Sequence, residues 1–262
     1  MTRSENLQYI LRSLIDERPE LAALKIPETL AEQQRMMRVM QNVRHPLPVG
    51  EDFLRAQDAE LKQQLADKGI VRLADIEPCH ADSKLRLWQG DITRLHVDAI
   101  VNAANSALLG CFVPMHRCID NAIHSAAGVQ LRLACHRMMQ AQGHPEPTGR
   151  AKITEGYNLP ARYVLHTVGP IVRGGRLTRQ HERKLANCYR SCLALADAHS
   201  LQSIAFCCIS TGEFGFPQQK AAEIAVATVK GYLNATAATH IQSVIFNVFK
   251  DEDLSIYKSL LA

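Results

Sequence analysis

The sequence predicts an α/β protein in which helices cover both faces of a mostly parallel sheet. From about residue 84 onwards, short apolar segments alternate with segments of helical periodicity, which is the pattern of repeated strand–helix units. The segment VDAIV at 97–101 is an almost continuous apolar run, as expected for a strand buried on both faces. Helical periodicity alone fills the first 80 residues. We therefore expect a three-layer α/β/α domain, with a mixed sheet, that follows a helical extension.

The first part of the chain is expected to be an N-terminal helical extension over residues 1–82, followed by the main domain over residues 83–262. Pro46 and Pro48 interrupt its helical pattern, and Gly69 stands where a helix C-terminus favours glycine. We expect this extension either to pack on the main domain or to contact a partner. Its apolar residues recur at helical spacing in three groups: Leu7, Ile10, Leu11, Leu14 and Ile15; Leu30, Met37 and Met40; and Leu54, Leu61 and Leu65.

The main domain is expected to alternate strands and helices to its end. Each assignment follows from an apolar run or from helical spacing between loop signals such as the Pro/Gly segment 144–149. The predicted strands cover 85–89, 97–101, 151–155, 163–168, 203–209 and 243–249. The predicted helices cover 118–142, 181–199 and 218–233, and the last one begins near 252.

Composition and charge exclude several functional classes. The net charge of +4 is mild, and no Lys/Arg block is interleaved with aromatic residues, so dedicated nucleic-acid binding is not expected. No apolar run approaches the roughly 18–20 residues of a membrane span. The N-terminal segment lacks the features of a secretion signal, which favours a cytoplasmic protein. Eight cysteines in such a chain are expected to be thiols or metal ligands rather than disulfides.

The sharpest local feature is a cysteine–histidine–cysteine spacing formed by Cys111, His116 and Cys118. Two thiolates and an imidazole are ligands that zinc prefers. The alternative is a pair of buried cysteines beside a histidine at a helix start. Three protein ligands leave a position for water or substrate, as in catalytic sites. A fourth ligand from elsewhere, such as Cys207 or His124, would make the site structural instead.

Polar side chains flank this spacing on both sides. Asn102 and Asn105 end the preceding strand, where an amide either caps the backbone or binds sugar hydroxyls. Asp120 falls in the first turn of the following helix, where the helix dipole favours its charge. His124 lies one turn later, and we favour a core histidine there. Asp91, after another strand, either caps a turn or accepts from the amine of a base.

A glycine-containing loop, residues 210–217, leaves a buried strand and enters a helix. Gly212 and Gly215 allow close approach of a ligand to the backbone, and a helix N-terminus favours an anion. The loop matches neither the P-loop nor the dinucleotide-binding fingerprint. It is therefore either a phosphate site or a plain strand-to-helix turn. Phe214 at its tip exposes apolar area unless a ligand stacks on it.

Four segments together resemble a known family. In chain order they are VDAIVNAANSALLGC, CIDNAIHSAAG, HTVGP and STGEFGFP. They resemble the macrodomain family, whose members bind ADP-ribose. The insertion GCFVPMHRC replaces the family's usual glycine-rich run and is similar to the zinc-dependent branch found in microbes, in which an N-terminal helical extension is usual. The resemblance covers the chain from about residue 85 to its end.

The resemblance implies a role for each candidate residue. Asp91 and Ile92 hold the adenine, Asn102 and Asn105 face the distal ribose, and Asp120 lies near the scissile bond. Zn²⁺ is bound beside that ribose by Cys111, His116 and Cys118. The diphosphate is wrapped by the glycine loop, with Phe214 against the distal ribose; the loop residues are Ser210, Thr211, Gly212, Glu213, Phe214 and Gly215.

The implied activity is that of a zinc-dependent hydrolase that removes mono-ADP-ribose from protein side chains, and the modified side chains are expected to be Asp or Glu. Enzymes of this branch are associated with sirtuin-like ADP-ribosyltransferases that modify lipoyl-carrier proteins, which suggests an ADP-ribosylated protein as partner. Two alternatives stay open at this point. One is a reader that binds ADP-ribose without catalysis, and the other is an esterase acting on O-acetyl-ADP-ribose. An open coordination position on the metal argues against the reader, because a protein that only binds ADP-ribose does not need one.

Overall fold

The computed structural model describes residues 2–236 and 238–262. Among these residues, no helix combines the length and the apolar character needed to cross a membrane. The helices are α1 (Arg3–Asp16), α2 (Leu30–Val43), α3 (Glu51–Lys68), α4 (Ile119–Ala127), α5 (Val129–Gln142), α6 (Arg179–Ala198), α7 (Gln218–Ala235) and α8 (Asp251–Leu261). The strands are β1 (Val71–Arg72), β2 (Pro78–Cys79), β3 (Asp82–Gln89), β4 (Leu95–His96), β5 (Ala99–Ala104), β6 (Ala151–Glu155), β7 (Tyr163–Val168), β8 (Ser203–Phe206) and β9 (Ser243–Val248).

The main sheet is mixed, and its described strands lie in the order β2-β3-β9-β8-β5-β7-β6. The five strands from β3 to β7 in this order run parallel, while β2 and β6 pair antiparallel at the two edges. The central strands β5, β8 and β9 are buried along almost their whole length, as expected when helices cover both faces. The predicted three-layer α/β/α fold with a mostly parallel sheet is confirmed.

The N-terminal extension has an apolar core of its own. Helices α1, α2 and α3 bury a cluster that includes Leu7, Leu11 and Met37, and Val129 of α5 packs into the same cluster. The extension also caps a helix of the main domain, because the side-chain Oε1 of Gln57 accepts from the backbone N–H of Val129 at 3.0 Å. The extension therefore packs on the main domain, while the division at residue 82 stays a prediction.

Several predicted boundaries shift in the structure. The single helix predicted over 118–142 is wrong, because Gly128, with a φ of 95°, separates α4 from α5. A side chain there would collide with Gln57 and Gln130. The strand predicted at 97–101 lies two to three residues later, at 99–104, and the backbone N–H of Asp98, just before it, donates to the side-chain Oγ of Ser203 at 2.8 Å rather than to a neighbouring strand. Strand β8 ends at Phe206 rather than at 209.

Candidate active site and metal centre

The candidate site lies at the carboxyl edge of the parallel strands. Asp91 follows β3, Asn105 follows β5, and the glycine loop follows β8. Since the parallel strands β3, β9, β8 and β5 are neighbours, their carboxyl ends meet at one edge of the sheet. Ligands of open α/β sheets bind at this edge. The fold therefore brings the three predicted groups of residues to the same side of the molecule.

A buried carboxylate and two amides form the centre of the site. Asn102, inside β5, donates from Nδ2 to Oδ1 of Asp120 at 2.8 Å. The Nδ2 atom of Asn105 lies 3.4 Å from the other carboxylate oxygen and also donates to the carbonyl of Gly110 at 3.1 Å. Burial raises the pKa of Asp120 to about 6, and the hydrogen bond from Asn102 opposes this shift. The predicted catalytic residues are thus adjacent in space.

A buried histidine behind Asn102 fixes the orientation of its amide. Asn102 Nδ2 lies 3.2 Å from Nδ1 of His166, and Nε2 of the same ring lies 2.9 Å from Oγ1 of Thr154. Because the amide nitrogen donates, Nδ1 accepts and the ring proton resides on Nε2. Burial lowers the pKa of His166 to about 4, so its ring is neutral. The Oδ1 atom of Asn102 is buried and finds no hydrogen-bond partner among the described residues.

The three candidate metal ligands lie close together in the structure. The potential ligand atoms of Cys111, His116 and Cys118 all lie within 4.8 Å of one another. The buried Nδ1 of His116 has no hydrogen-bond partner within residues 2–236 and 238–262, while its Nε2 lies 3.6 Å from Oε1 of Glu213. A ligating histidine commonly presents its second nitrogen to a carboxylate in this way. Two thiols and one unpartnered imidazole nitrogen therefore fit a zinc ion.

The thiol of Cys118 is protonated when no cation is near it. Burial raises its pKa to about 12, and the neighbouring Cys111 raises it further, although the backbone N–H of Asn121 donates to its sulfur. A bound divalent cation reverses this balance, because coordination deprotonates a thiol. Cys118 is also the N-cap of α4, so the start of that helix fixes the position of its sulfur.

Neither proposed fourth ligand belongs to this cluster. Among the described residues, His124 groups instead with Cys135 and His166, and Cys207 lies in the core after β8. His166 already uses both ring nitrogens. Burial raises the pKa of the Cys135 thiol to about 12, which opposes the thiolate that a metal needs. The second group is thus only partly hydrogen-bonded: both ring nitrogens of buried His124 are without a hydrogen-bond partner among the described residues, and its Nε2 lies 3.5 Å from Oδ1 of Asp120.

The glycine loop is held in a fixed conformation beside a second loop. Ser210 has a positive φ of 67°, and its carbonyl accepts from the backbone N–H of Phe216 at 2.9 Å. The carbonyl of Phe214 accepts from the N–H of Val172, in the loop after β7, at 2.8 Å. The Oγ of Ser210 is buried and unpartnered within the described part of the chain. Helix α7 begins directly after this loop, at Gln218, so its N-terminus favours an anion here.

Comparison with known proteins shows the family of the chain. The model of the family described as Macro domain matches residues 101–225. A Treponema medium protein named Protein-ADP-ribose hydrolase is 48% identical over the whole of both chains. A Staphylococcus aureus protein of the same name is 49% identical over 96% of this chain and 93% of its own length. The chain belongs to the macrodomain family. A solved Trypanosoma brucei macrodomain in complex with ADP-ribose is 29% identical, with a TM-score of 0.66, and covers 90% of this chain and 97% of its own.

Two predicted binding residues of this macrodomain make contacts that the sequence did not suggest. Glu213 directs its carboxylate towards His116 across the two loops, not towards the backbone of its own loop. The Oδ1 atom of Asp91 accepts from the N–H and the hydroxyl of Thr93, at 3.1 and 2.6 Å, so the cap interpretation holds for this oxygen. The other oxygen lies 3.5 Å from Nζ of Lys68 in α3. Ile92, next to it, is buried.

The remaining loop residues of the macrodomain differ in exposure. The Oγ1 atom of Thr211 donates to the carbonyl of Cys208 at 3.0 Å, which orders the start of the loop. Gly212 and Gly215 are exposed, and Gly215 has a positive φ of 64°. Phe214 is half-buried. The backbone of this loop is therefore exposed at its two glycines, and its role in binding the diphosphate stays a prediction.

Sequence reasoning missed one exposed aromatic residue of the macrodomain. Phe249 directly follows β9, and its side chain is 77% exposed. Its carbonyl accepts from the side chain of Gln89, two residues before Asp91, at 3.2 Å. An exposed ring at the carboxyl edge of the sheet suits a planar base. The sequence shows a phenylalanine at the end of the predicted strand. From sequence alone, however, this residue could equally be the last core residue of that strand.

Proposed function

We propose that this macrodomain is a zinc-dependent hydrolase that removes mono-ADP-ribose from protein side chains. The observation that carries the proposal is the 2.8 Å hydrogen bond from buried Asn102 of β5 to buried Asp120, which lies in the first turn of α4, directly after Cys118 of the cysteine–histidine–cysteine cluster. A protein that only binds ADP-ribose needs no such cluster. The name of the Treponema relative, Protein-ADP-ribose hydrolase, supports the same reaction.

The ligand is proposed to lie along the carboxyl edge of the sheet. The adenine lies near Asp91 and Ile92, with the ring of Phe249 available to stack on it. The diphosphate lies on the glycine loop, where the unpartnered hydroxyl of Ser210 and the N-terminus of α7 favour an anion. The distal ribose lies between Phe214 and the central amides. The unpartnered Oδ1 of Asn102 accepts from one of its hydroxyls.

In the proposed mechanism Asp120 acts on water and on the sugar. Its carboxylate accepts a hydrogen bond from the attacking water and stabilises positive charge that develops on the ribose. The water oxygen forms a bond to the anomeric carbon, and the bond from that carbon to the protein side chain breaks. The bonding electron pair leaves on the side-chain oxygen as a carboxylate, and the proton that the water loses passes to Asp120 and from there to solvent. Asn102 and Asn105 hold the carboxylate in place through hydrogen bonds.

The zinc ion is proposed to be held by Cys111, His116 and Cys118, with Nδ1 as the histidine ligand. When bound, zinc supplies Lewis-acid polarisation of an oxygen ligand at an open position. The carboxylate of Glu213 then accepts from Nε2–H of His116 and fixes the ring. The proposed substrates are proteins modified on Asp or Glu, including lipoyl-carrier proteins modified by sirtuin-type transferases. The family resemblance supports this last point.

The test uses Asp120→Asn, which keeps the shape of the side chain and removes its charge. We expect release of ADP-ribose from a model protein modified on glutamate to fall by about 10²-fold or more. Affinity for free ADP-ribose should change by less than about threefold, because the neutral amide still contacts Asn102. Release of ADP-ribose and binding are measured by chromatography and by calorimetry, respectively.

Two outcomes would contradict the proposal. Tight binding of ADP-ribose by the wild-type chain without any release would favour a reader. Turnover of O-acetyl-ADP-ribose much faster than that of every modified protein would favour the esterase.

A further inference from the structure

The N-terminal extension makes a direct hydrogen bond to the loop that carries the cluster, which we call the metal loop and define as residues 109–118. Asn42, near the end of α2, is almost completely buried. Its Oδ1 accepts from the backbone N–H of Met115 at 3.0 Å. Met115 immediately precedes the ligand His116. A side chain of the extension thus fixes the backbone at the middle of the metal loop.

Met115 has an unusual backbone conformation at that point. Its φ of 55° lies in the left-handed region, which is disfavoured for residues with a side chain. Such a conformation persists when the surrounding contacts stabilise it. Among the described residues, the loop itself contributes one backbone–backbone hydrogen bond next to Met115, from the N–H of His116 to the carbonyl of Val113 at 3.2 Å. The hydrogen bond from Asn42 is therefore well placed to maintain this conformation.

A second route leads from α2 to the same loop. The Nη2 atom of Arg38 donates to Oδ1 of Asn121 at 3.0 Å. The amide nitrogen of Asn121 then donates to the carbonyl of Val113, also at 3.0 Å, and its backbone N–H donates to the sulfur of Cys118. One residue thus links α2 to the middle of the metal loop and to a ligand sulfur. Arg38 fixes the orientation of that amide.

Buried Arg132 of α5 connects α2 to the start of the metal loop. Its Nη1 donates to the carbonyls of Gln41, Asn42 and Arg44 at 2.6–2.9 Å, at the C-terminus of α2, where a positive charge is favoured. Its Nε donates to the carbonyl of Leu109 at 2.7 Å. The guanidinium also lies 4.2 Å from the ring centroid of Phe112. The extension and the metal loop therefore share one guanidinium.

We propose that α2 of the N-terminal extension positions the metal loop, and that the affinity of the chain for zinc depends on Asn42 and Arg38. Both are positioning residues, because they act through Met115 and Asn121 and not as ligands. This inference rests on the zinc site of the proposed function and gives the extension a role in it. It extends that proposal, since a zinc site formed by one loop alone would not require helix α2.

The test measures zinc affinity of the full-length chain by competition with a chromogenic chelator, and Co²⁺ binding by its absorption bands. Asn42→Ala is expected to weaken zinc binding by about tenfold or more, because it leaves the N–H of Met115 without its acceptor. The matched control is Ser125→Ala, which removes the other partner of Asn42, at 2.9 Å, together with a longer contact to Oδ1 of Asn121, at 3.4 Å, and leaves the bonds from Asn42 to Met115 and from Arg38 to Asn121 intact. We expect the control to change zinc affinity by less than about twofold.

A second pair of variants keeps the test decisive if Asn42→Ala fails to fold. Arg38→Ala removes the bond to Asn121, and zinc affinity is expected to fall by about threefold. Arg35→Ala removes the same charge from an exposed position of the same helix and should have no effect. Thermal unfolding of each metal-free variant, followed by circular dichroism, separates a loss of stability from a loss of metal affinity.

Unchanged zinc affinity in Arg38→Ala, and in Asn42→Ala where it folds, would overturn the inference and leave the zinc site in place. A wild-type chain that binds neither Zn²⁺ nor Co²⁺ would overturn the zinc site, and the inference with it. The two failures are therefore distinguishable.

Discussion

The side-chain amide of Asn102 has a nitrogen that donates and an oxygen that accepts, and the neighbouring residues determine which way each of them points. His166 and Asp120 both contact the nitrogen, so the oxygen remains for another donor. This assignment depends on the ring proton of His166, which Thr154 holds on Nε2. A residue in the core thereby determines which end of the amide is available to a ribose hydroxyl.

At the same scale, Glu213 is expected to support the metal ligand His116. Glu213→Ala should weaken zinc binding by about three- to tenfold, because the second ring nitrogen loses its acceptor. This loss of zinc affinity is small for a carboxylate that supports a metal ligand, because the Glu213 side chain is 71% exposed and solvent screens its charge. Chelator competition measures it. Glu213→Gln, which keeps a carbonyl acceptor, is the control, and an equal loss in both variants would contradict the assignment.

Phe249 is expected to stack on the adenine. Phe249→Ala should weaken the binding of ADP-ribose by about 1–3 kcal/mol, which is the usual contribution of an aromatic side chain that stacks on a base. Phe249→Trp retains a stacking surface and should bind about as well as the wild type. Isothermal titration calorimetry with ADP-ribose measures the affinity of each protein. Titration with ribose 5-phosphate, which has no base, is the comparison. Equal affinity for ADP-ribose in all three proteins would exclude the stack.

The sequence brought forward the candidate residues of the site but few of their contacts. Spacing singles out Cys111, His116 and Cys118 as candidates, because residues so close in sequence can be brought together by the fold of one short loop, as the structure does here. Spacing does not place Glu213 against His116, since those residues come from two different loops. The same limit applies to His166, which reads as an ordinary strand residue in HTVGP. Contacts between distant segments depend on how the strands pair, and one sequence does not give that.

At the scale of elements, the break between α4 and α5 shows what periodicity misses. Apolar residues continue at helical spacing through Gly128, so a single helix was the simplest prediction. The backbone turns there because Gln57 of α3 occupies the space and caps Val129. The break turns α5 so that Arg132 reaches both α2 and the metal loop. The cause lies in another element, which local sequence does not reveal.

Arg132→Met is expected to destabilise the fold by about 3 kcal/mol. The apolar stem of methionine fills part of the space, but four buried carbonyl groups lose their donor. Urea unfolding of the metal-free chain, followed by circular dichroism, measures the change. Arg137→Met, at an exposed position of the same helix, should stay within about 0.5 kcal/mol of the wild type. A loss of similar size in both variants would contradict the role given to Arg132.

At the scale of the whole molecule, two buried histidines are expected to make stability fall as the pH is lowered, while Asp120, whose pKa burial raises to about 6, acts in the opposite direction. Burial lowers the pKa of His166 to about 4 and that of His124 well below 6.5. Both rings are neutral in the folded state and take up protons on unfolding below pH 6.5. Between pH 6.5 and pH 4 this proton uptake stabilises the unfolded state relative to the folded state. Each histidine contributes a slope of up to about 1.4 kcal/mol per pH unit.

The variant His166→Asn tests this pH dependence, because it places a carbonyl oxygen close to the position of Nδ1 and does not titrate. The charged or titratable side chains nearest to His166 are His124, Cys135 and, through Asn102, Asp120. They are shared by both proteins. Urea unfolding at pH 7.0, 6.0 and 5.0 should show a shallower loss of stability in the variant. Parallel curves for the two proteins would contradict the assignment of a neutral buried imidazole.

The fold class and the position of the site could be predicted because they depend on features that extend along the chain. Apolar strands alternate with helices from residue 84 onwards, and polar residues follow the strand ends, as the observed sheet confirms. The role of the extension could not be predicted. Its apolar stripes indicate helices that pack, but the contacts that matter most are single side chains such as Asn42. Nothing in local sequence separates them from surface residues.

The central claim is that three side chains of one loop hold a zinc ion on which hydrolysis depends. The most direct measurement is the rate of ADP-ribose release from a glutamate-modified protein by the full-length chain as purified, after removal of metal, and after addition of one equivalent of Zn²⁺. We predict that activity is lost on removal and restored by zinc, and that elemental analysis finds about one zinc per active chain. Full turnover in protein shown to be free of metal would contradict the account.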